Sequence, residues 1–300
     1  MAAPIVPSLL LVALVLAAPV AAQRKQTKGF AVAPDVALRI HNLVGVTRVT
    51  GWDRDSIAVV ATIPVRGGSL FGGGGGRFAK LGIEGQDPNL TGPGSELDVR
   101  VPRGARVWIK SASANVELSN LGGEIEATSV TGAIHLEGAP RVTTLETIDG
   151  AVPVTGGATV VRVRTGAGPV RIIGSRGDLA VSTVEGSVVI ESDQLISARI
   201  QSVSGKVEVR SGLPLDGRLE VETHGGDVQL TLPANTDAGF DLSSVKGTLT
   251  TKIAGRSALA PGTRSTRFTI GKKAGVGRGA VITVRTFSGG IQIDSNPGGL

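Results

Sequence analysis

Residues 143–172 read TTLETIDGAVPVTGGATVVRVRTGAGPVRI and hold one pattern twice. A hydroxyl at Thr147, a glycine at Gly150 and apolar residues at Val152 and Val154 return eighteen positions later as Thr165, Gly168, Val170 and Ile172. A fixed period of about 20 residues marks a repeat architecture rather than an ordinary domain. With the glycine as position zero, the register extends outward through Ala114, Gly132, Gly150, Gly168, Gly186, Gly205, Gly226, Gly247 and Gly289. The spacings are 18 four times, then 19, 21, 21 and 42.

Three residues before position zero stands a hydroxyl every time: Ser111, Ser129, Thr147, Thr165, Thr183, Ser202, Thr223, Ser244 and Thr286. Two residues after it the chain is always apolar, and four after it Thr251 is the only exception. Five before it the residue is apolar again, from Ile109 to Val284. Each unit therefore reads as two short alternating strands joined at a Gly-centred corner. Alternation turns the hydroxyl inward at the bend, where it can bond backbone groups that strand pairing leaves free. A row of nucleophiles would need a base beside each hydroxyl, and none recurs.

Stacked coil on coil, each strand pairs with its copy one repeat later, about 4.8 Å away, over a continuous aliphatic core. The expected fold is all-β: a solenoid-like stack of 18 to 21 residues per coil. The crossover rule favours a right-handed parallel β-helix, with a repetitive β-sandwich as the alternative. A hexapeptide helix of the acyltransferase type would need an inward residue six positions before the apolar plus-two site. Lys110, Glu146, Arg164, Gln201, Glu222 and Arg285 stand there, which excludes it.

Outside the regular repeats the fit loosens. Leu38 and Ile40 precede Gly45 correctly, but Asn42 replaces the hydroxyl. The stretch 66–95, with five glycines from Gly72 to Gly76, reads as a flexible excursion that leaves the stack and returns near Leu97. Between Gly247 and Gly289 there is room for a degenerate coil around Ser265 to Ile270. The expected organisation is a signal peptide at 1–22, a linker at 23–35, a β-repeat domain at 36–294 and a tail at 295–300.

The signal peptide rests on the short apolar run Leu9 to Ala18, Pro19 and the small-residue exit Val20-Ala21-Ala22, with cleavage expected after Ala22. The run is too short to span a bilayer, and no later stretch is long enough. A mature chain exported to the periplasm or cell surface follows. Of 300 residues 41% are apolar, enough for a sizeable core. The absence of cysteine excludes disulfides, thiolate metal sites and cysteine nucleophiles. Aromatics at 3%, without tyrosine, argue against stacking platforms for bases or sugars.

Three stretches give the chain a likeness. Leu38 to Val60 reads L-x-I-x-N-L-x-G-x-T-x-V-x-G-W-D-x-D-x-I-x-V, the Ser/Thr-x-x-Gly-x-φ-x-φ repeat follows, and Ile270-Gly271 and Gly275 to Gly279 lead into Ile282 to Ile293. In these the chain resembles the bacterial putative-adhesin family of exported β-strand-repeat proteins. The resemblance implies a fold and an envelope setting, and it carries no catalytic residue across.

Candidate chemistry is sparse. His41, His135 and His224 occupy different repeat positions, so no metal is expected, and nothing calls for a cofactor. The glycine run lacks the Gly-Lys-Ser/Thr of a phosphate loop. Arg176-Gly177-Asp178 matches an integrin-read tripeptide, but Arg and Asp suit any solvated turn. Arg199, Glu220 and Asp241 share an outward row, which would put two carboxylates one strand apart, as in a retaining glycosidase. The enzyme alternative is thus a polysaccharide-acting hydrolase or lyase using Glu220 and Asp241.

Charge gives the stronger lead. The total is +6, yet Thr251 to Ala280 alone carries Lys252, Arg256, Arg264, Arg267, Lys272, Lys273 and Arg278 with no acid, leaving −1 for everything else. These seven are the candidate contact with an anionic envelope polymer, a lipid surface or another envelope protein. Nucleic acid is not an expected partner of an exported chain. The expected function is a non-catalytic, adhesin-like interaction or structural protein of the cell envelope.

Overall fold

The computed structural model describes residues 23–65, 67–87, 93–253, 257–271, 274 and 279–296. The expected signal peptide and the last residues of the tail lie outside the described residues. Among those described there are 26 strands and no α-helix. The first seven are β1 (Gln23–Ala31), β2 (Ala37–His41), β3 (Gly45–Trp52), β4 (Ser56–Pro64), β5 (Ser69–Gly75), β6 (Phe78–Glu84) and β7 (Ser95–Pro102). Paired strands of the regular coils follow: β8 (Arg106–Lys110) with β9 (Asn115–Ser119), β10 (Glu124–Thr128) with β11 (Ile134–Glu137), and β12 (Val142–Thr147) with β13 (Val152–Thr155). Next come β14 (Val160–Thr165) with β15 (Val170–Ile173), β16 (Asp178–Thr183) with β17 (Val188–Gln194), β18 (Ser197–Ser202) with β19 (Val207–Gly212), and β20 (Arg218–Thr223) with β21 (Val228–Pro233). The chain closes with β22 (Ala238–Ser244), β23 (Leu249–Lys252), β24 (Ser265–Ile270), β25 (Ala280–Thr286) and β26 (Ile291–Asn296).

Two sheets of 13 strands each face one another and do not close. Sheet I runs β1-β4-β7-β3-β9-β11-β13-β15-β17-β19-β21-β26-β23, and sheet II runs β24-β22-β25-β20-β18-β16-β14-β12-β10-β8-β2-β6-β5. Pairing is parallel except β1 with β4, β4 with β7, β5 with β6 and β22 with β24. Each regular coil gives one strand to each sheet, so the apolar positions read from the sequence meet between them. Leu145, Val152, Val154, Val163, Val170 and Ile172 are all buried. At roughly 1.5–3 kcal/mol for each large side chain taken from water, this continuous core dominates the folding energy.

The corner hydroxyls point inward as expected. Thr147 Oγ1 accepts the Gly150 amide at 3.0 Å and Thr286 Oγ1 accepts that of Gly289 at 2.9 Å, while Thr223 donates to the carbonyl of Gly226 at 2.7 Å. The glycine at position zero serves close approach: a Cβ on Gly150 would overlap the carbonyl oxygen of Gly132 in the coil beside it.

Four parts depart from the sequence reading. Residues 23–31 are not a linker but edge strand β1, paired with β4 along its whole length. Its polar composition suggested a tether, but an edge strand bonded on one side needs no apolar face. Nor does the glycine-rich stretch leave the stack; β5 and β6 form a hairpin in sheet II, with β6 paired to β2. Gly74 lets its two strands come together, because a Cβ there would overlap the carbonyl of Phe78. Side chains of β1 then bridge to β5: Arg24 donates to the Gly68 carbonyl at 2.8 Å, and Gln26 accepts the Leu70 amide at 2.9 Å.

The other two departures concern order. The coil of β25 and β26 does not stand last; it lies between β20/β21 on one side and β22/β23 on the other. Likewise the coil of β2 and β3 is held between β6/β7 and β8/β9. The interval before Gly289, where the sequence left room for a degenerate coil, holds none among its described residues. Instead β24 folds back antiparallel on β22 as the edge of sheet II.

Candidate functional site

Of the seven cations singled out, Lys252, Arg264 and Arg267 are described; Arg256, Lys272, Lys273 and Arg278 lie outside the described residues. Lys252 ends β23, the last strand of sheet I, and Arg264 and Arg267 stand at and within β24, the last strand of sheet II. The three are exposed at the same end of the stack. Arg264 donates to the Val245 carbonyl at 3.1 Å. Arg267 has a counter-charge that the segment itself lacks, since Asp241 of β22 pairs with it at 3.1 Å. That hydrogen bond, with the attraction behind it, raises the pKa of Arg267 above its ordinary value.

The carboxylate row expected of a glycosidase is not assembled. β25 stands between β20 and β22, so Thr283 separates Glu220 from Asp241 in the ladder. The two carboxylates are therefore two strands apart, about 9.6 Å at the backbone, rather than one. Each also has its own arginine, Arg199 at 3.5 Å for Glu220 and Arg267 for Asp241. Among the described residues no cluster of His, Asp and Glu is placed to hold a metal ion. In the Arg176-Gly177-Asp178 tripeptide, Arg176 is bound to Asp193 at 2.6 Å.

Sequence reasoning passed over two surfaces. One is a ladder on the outside of the Gly-centred corner, two residues before position zero. Val130, Ile148, Val184, Val203, Phe287 and Val245 all lie there, between 37% and 56% exposed. Corner hydrogen bonds such as Ile148 N–H to Val130 O and Gly166 N–H to Ile148 O set them one above another. The same register would have shown it.

The second surface lies at the opposite end of sheet II from the basic segment. Cross-strand register puts Arg39 of β2 directly between Lys80 of β6 and Trp108 of β8, and His41 beside Lys110. Two shallow hollows of about 340 and 490 Å³ meet here, with Arg39 and Trp108 in the walls of both. The Trp108 indole N–H donates to Glu126 at 3.1 Å, and the Lys80 ammonium stands 5.5 Å from the centre of the Phe71 ring. Burial above all, then Lys80, Lys110 and Arg39, holds the His41 pKa below its ordinary value.

The sequence profile of the Toastrack DUF4097 family matches residues 69–294, most of the repeat. The chain belongs to the Toastrack DUF4097 family. Several solved structures align with this Toastrack chain at low identity. A putative adhesin from Parabacteroides distasonis ATCC 8503 is 12% identical over 91% of this chain and 97% of its own, with a TM-score of 0.48. A putative lipid binding protein from the same strain is 11% identical over 91% and 96%, with a TM-score of 0.47. A putative cell adhesion protein from Clostridium sporogenes ATCC 15579 is 9% identical over 91% and 100%, with a TM-score of 0.21. No curated protein matches the sequence. Among the described residues, no helix of this Toastrack chain is long and apolar enough to cross a membrane.

Proposed function

We propose that the chain is an exported, non-catalytic, adhesin-like interaction protein of the cell envelope, a rigid β-repeat scaffold that binds anionic envelope polymers or surfaces through residues 251–280. One observation carries the reading: Thr251 to Ala280 holds seven cations and no acid, and its described cations Lys252, Arg264 and Arg267 are exposed on the terminal strands of the two sheets. A single-sign field at one end of a rod concentrates counter-charged polymer there, whereas the mixed charge ladders along its flanks cancel. Arg267 contributes less than Arg264 or Lys252, because Asp241 already answers it. Export rests on the apolar run and small-residue exit of residues 1–22.

The test is retention on an anionic polymer column. Wild type should be retained at low salt and released as the screening length falls to about 3 Å near 1 M. A variant with Arg264, Arg267, Lys272 and Lys273 replaced by Gln should elute early while keeping its circular dichroism spectrum. Equal retention of the two would reduce the segment to solubilising charge.

A further inference from the structure

We propose that the outer face of sheet II around β6, β2 and β8 is a second binding site, at the other end of the stack, for a glycan chain bearing carboxylates. Three observations carry it. First, the cations are uncompensated. Nine of the nineteen described arginines meet a carboxylate within 4.0 Å; Arg39, Lys80 and Lys110 are cations that meet none, and here they stand on adjacent strands. Like charges placed on adjacent strands weaken a sheet. Arg39 and Lys80 are direct cross-strand partners, so the fold bears a local repulsion that an anion would relieve.

Second, aromatics too few to make stacking platforms along the repeat are nonetheless gathered here, against the expectation from composition. Only eight aromatic side chains occur in 300 residues, two Trp and six Phe, yet Trp108, Phe71 and Phe78 all stand on β8, β5 and β6. Phe78 is 73% exposed and lines the same hollow as Trp108 and Lys80. A flat ring beside a guanidinium suits a pyranose carrying a carboxylate: the apolar C–H face packs on the ring and the oxygens take the charged donors. Glu126, fixed by the indole N–H, offers an acceptor for a sugar hydroxyl.

Third, the surface is open and low. Gly73 and Gly74 line the hollow and Gly82 lies opposite His41, so these three positions put no side chain of their own in the way of a polymer crossing the strands. An enclosed pocket would select a small molecule; this trough admits a chain. From β24 to β2 there are ten strand steps in sheet II, about 48 Å, so a long anionic polymer could engage both ends.

The experiment is titration of the full chain at low salt with polygalacturonate, neutral dextran and phosphatidylglycerol vesicles, followed by tryptophan fluorescence. Polygalacturonate should change the emission, and Trp52→Phe should keep that change while Trp108→Phe loses it. The exposed pair Arg39→Gln/Lys80→Gln, which spares the core, should weaken binding at least about tenfold. Arg264→Gln/Arg267→Gln should leave this signal intact, which separates failure of this site from failure of the distal one. Absence of a polygalacturonate response, equal binding by Arg39→Gln/Lys80→Gln, or a response to the vesicles alone would overturn the proposal.

Discussion

Gly289 lies against Gly226, so close that a Cβ on Gly289 would overlap the Gly226 carbonyl oxygen, and Gly247 makes the same contact with Gly289. The last coil of the sequence is therefore an inner coil of the stack. Asp227 strengthens the seam by accepting the Gly290 amide at 2.7 Å. An inserted coil has a neighbour on both faces, unlike a terminal one.

Hydrogen exchange should report this directly. Amides of Ile282 to Val284, buried between β20 and β22, should exchange only with global opening, as those of β20 do. Amides of β24, paired on one side only, should exchange faster by about tenfold or more. Similar fast exchange in β25 and β24 would contradict the inserted order. Ending the chain at Gly279 should then expose the β20/β21 and β22/β23 faces together and cost far more than trimming a cap.

The corner glycines should be intolerant in proportion to what a Cβ meets. Gly150→Ala drives a methyl into backbone and should lose about 3 kcal/mol in denaturant unfolding. Gly75→Ala, with nothing within 4 Å, should be neutral or stabilise by about 0.5 kcal/mol through the unfolded chain. Equal effects would mean that coil contact does not set the glycine.

Much of this was legible because one geometry dictates each repeat position. Thr147, Gly150, Val152 and Val154 could be read from the sequence as corner hydroxyl, turn point and core, and the structure has the Thr147 hydroxyl accepting the Gly150 amide and both valines buried. Coil order was not legible, for the same reason: Gly226 offers its neighbour the surface that any coil offers, and periodicity cannot tell Gly247 from Gly289. The cluster of Arg39, Lys80 and Trp108 was hidden twice over, by separation in sequence and by the non-sequential strand order β6-β2-β8. The apolar corner ladder was in plain register, but an outward apolar position contributes nothing to a core argument and was passed over.

Thr143 exposes a fault in the core that a single substitution should mend. It occupies an inward position between Ile125 and Val161, fully buried, and its hydroxyl has no hydrogen-bond partner. A buried, unsatisfied hydroxyl costs about 1–3 kcal/mol, and valine has nearly the same shape. Thr143→Val should raise stability by about 1 kcal/mol, read as a higher denaturant midpoint at unchanged slope. A fall in the midpoint would show that the hydroxyl is satisfied.

His41 gives the second binding site a pH signature. The positive charges acting on it come from its own strand as Arg39, from β6 as Lys80 and from β8 as Lys110, with the Glu126 carboxylate lining the same hollow. Burial first, then these cations, depresses its folded pKa below the unfolded value of about 6.5. Between the two values the unfolded chain binds more protons, so stability is full above about pH 6.5 and falls as the pH drops toward the folded value. His41→Gln should flatten that part of the stability profile. A carboxylate seated among Arg39, Lys80 and Lys110 would offset their repulsion, so polygalacturonate should move the His41 imidazole titration upward in an NMR experiment, while dextran should not. An unchanged His41 titration at saturating polygalacturonate would place the bound polymer elsewhere on the stack.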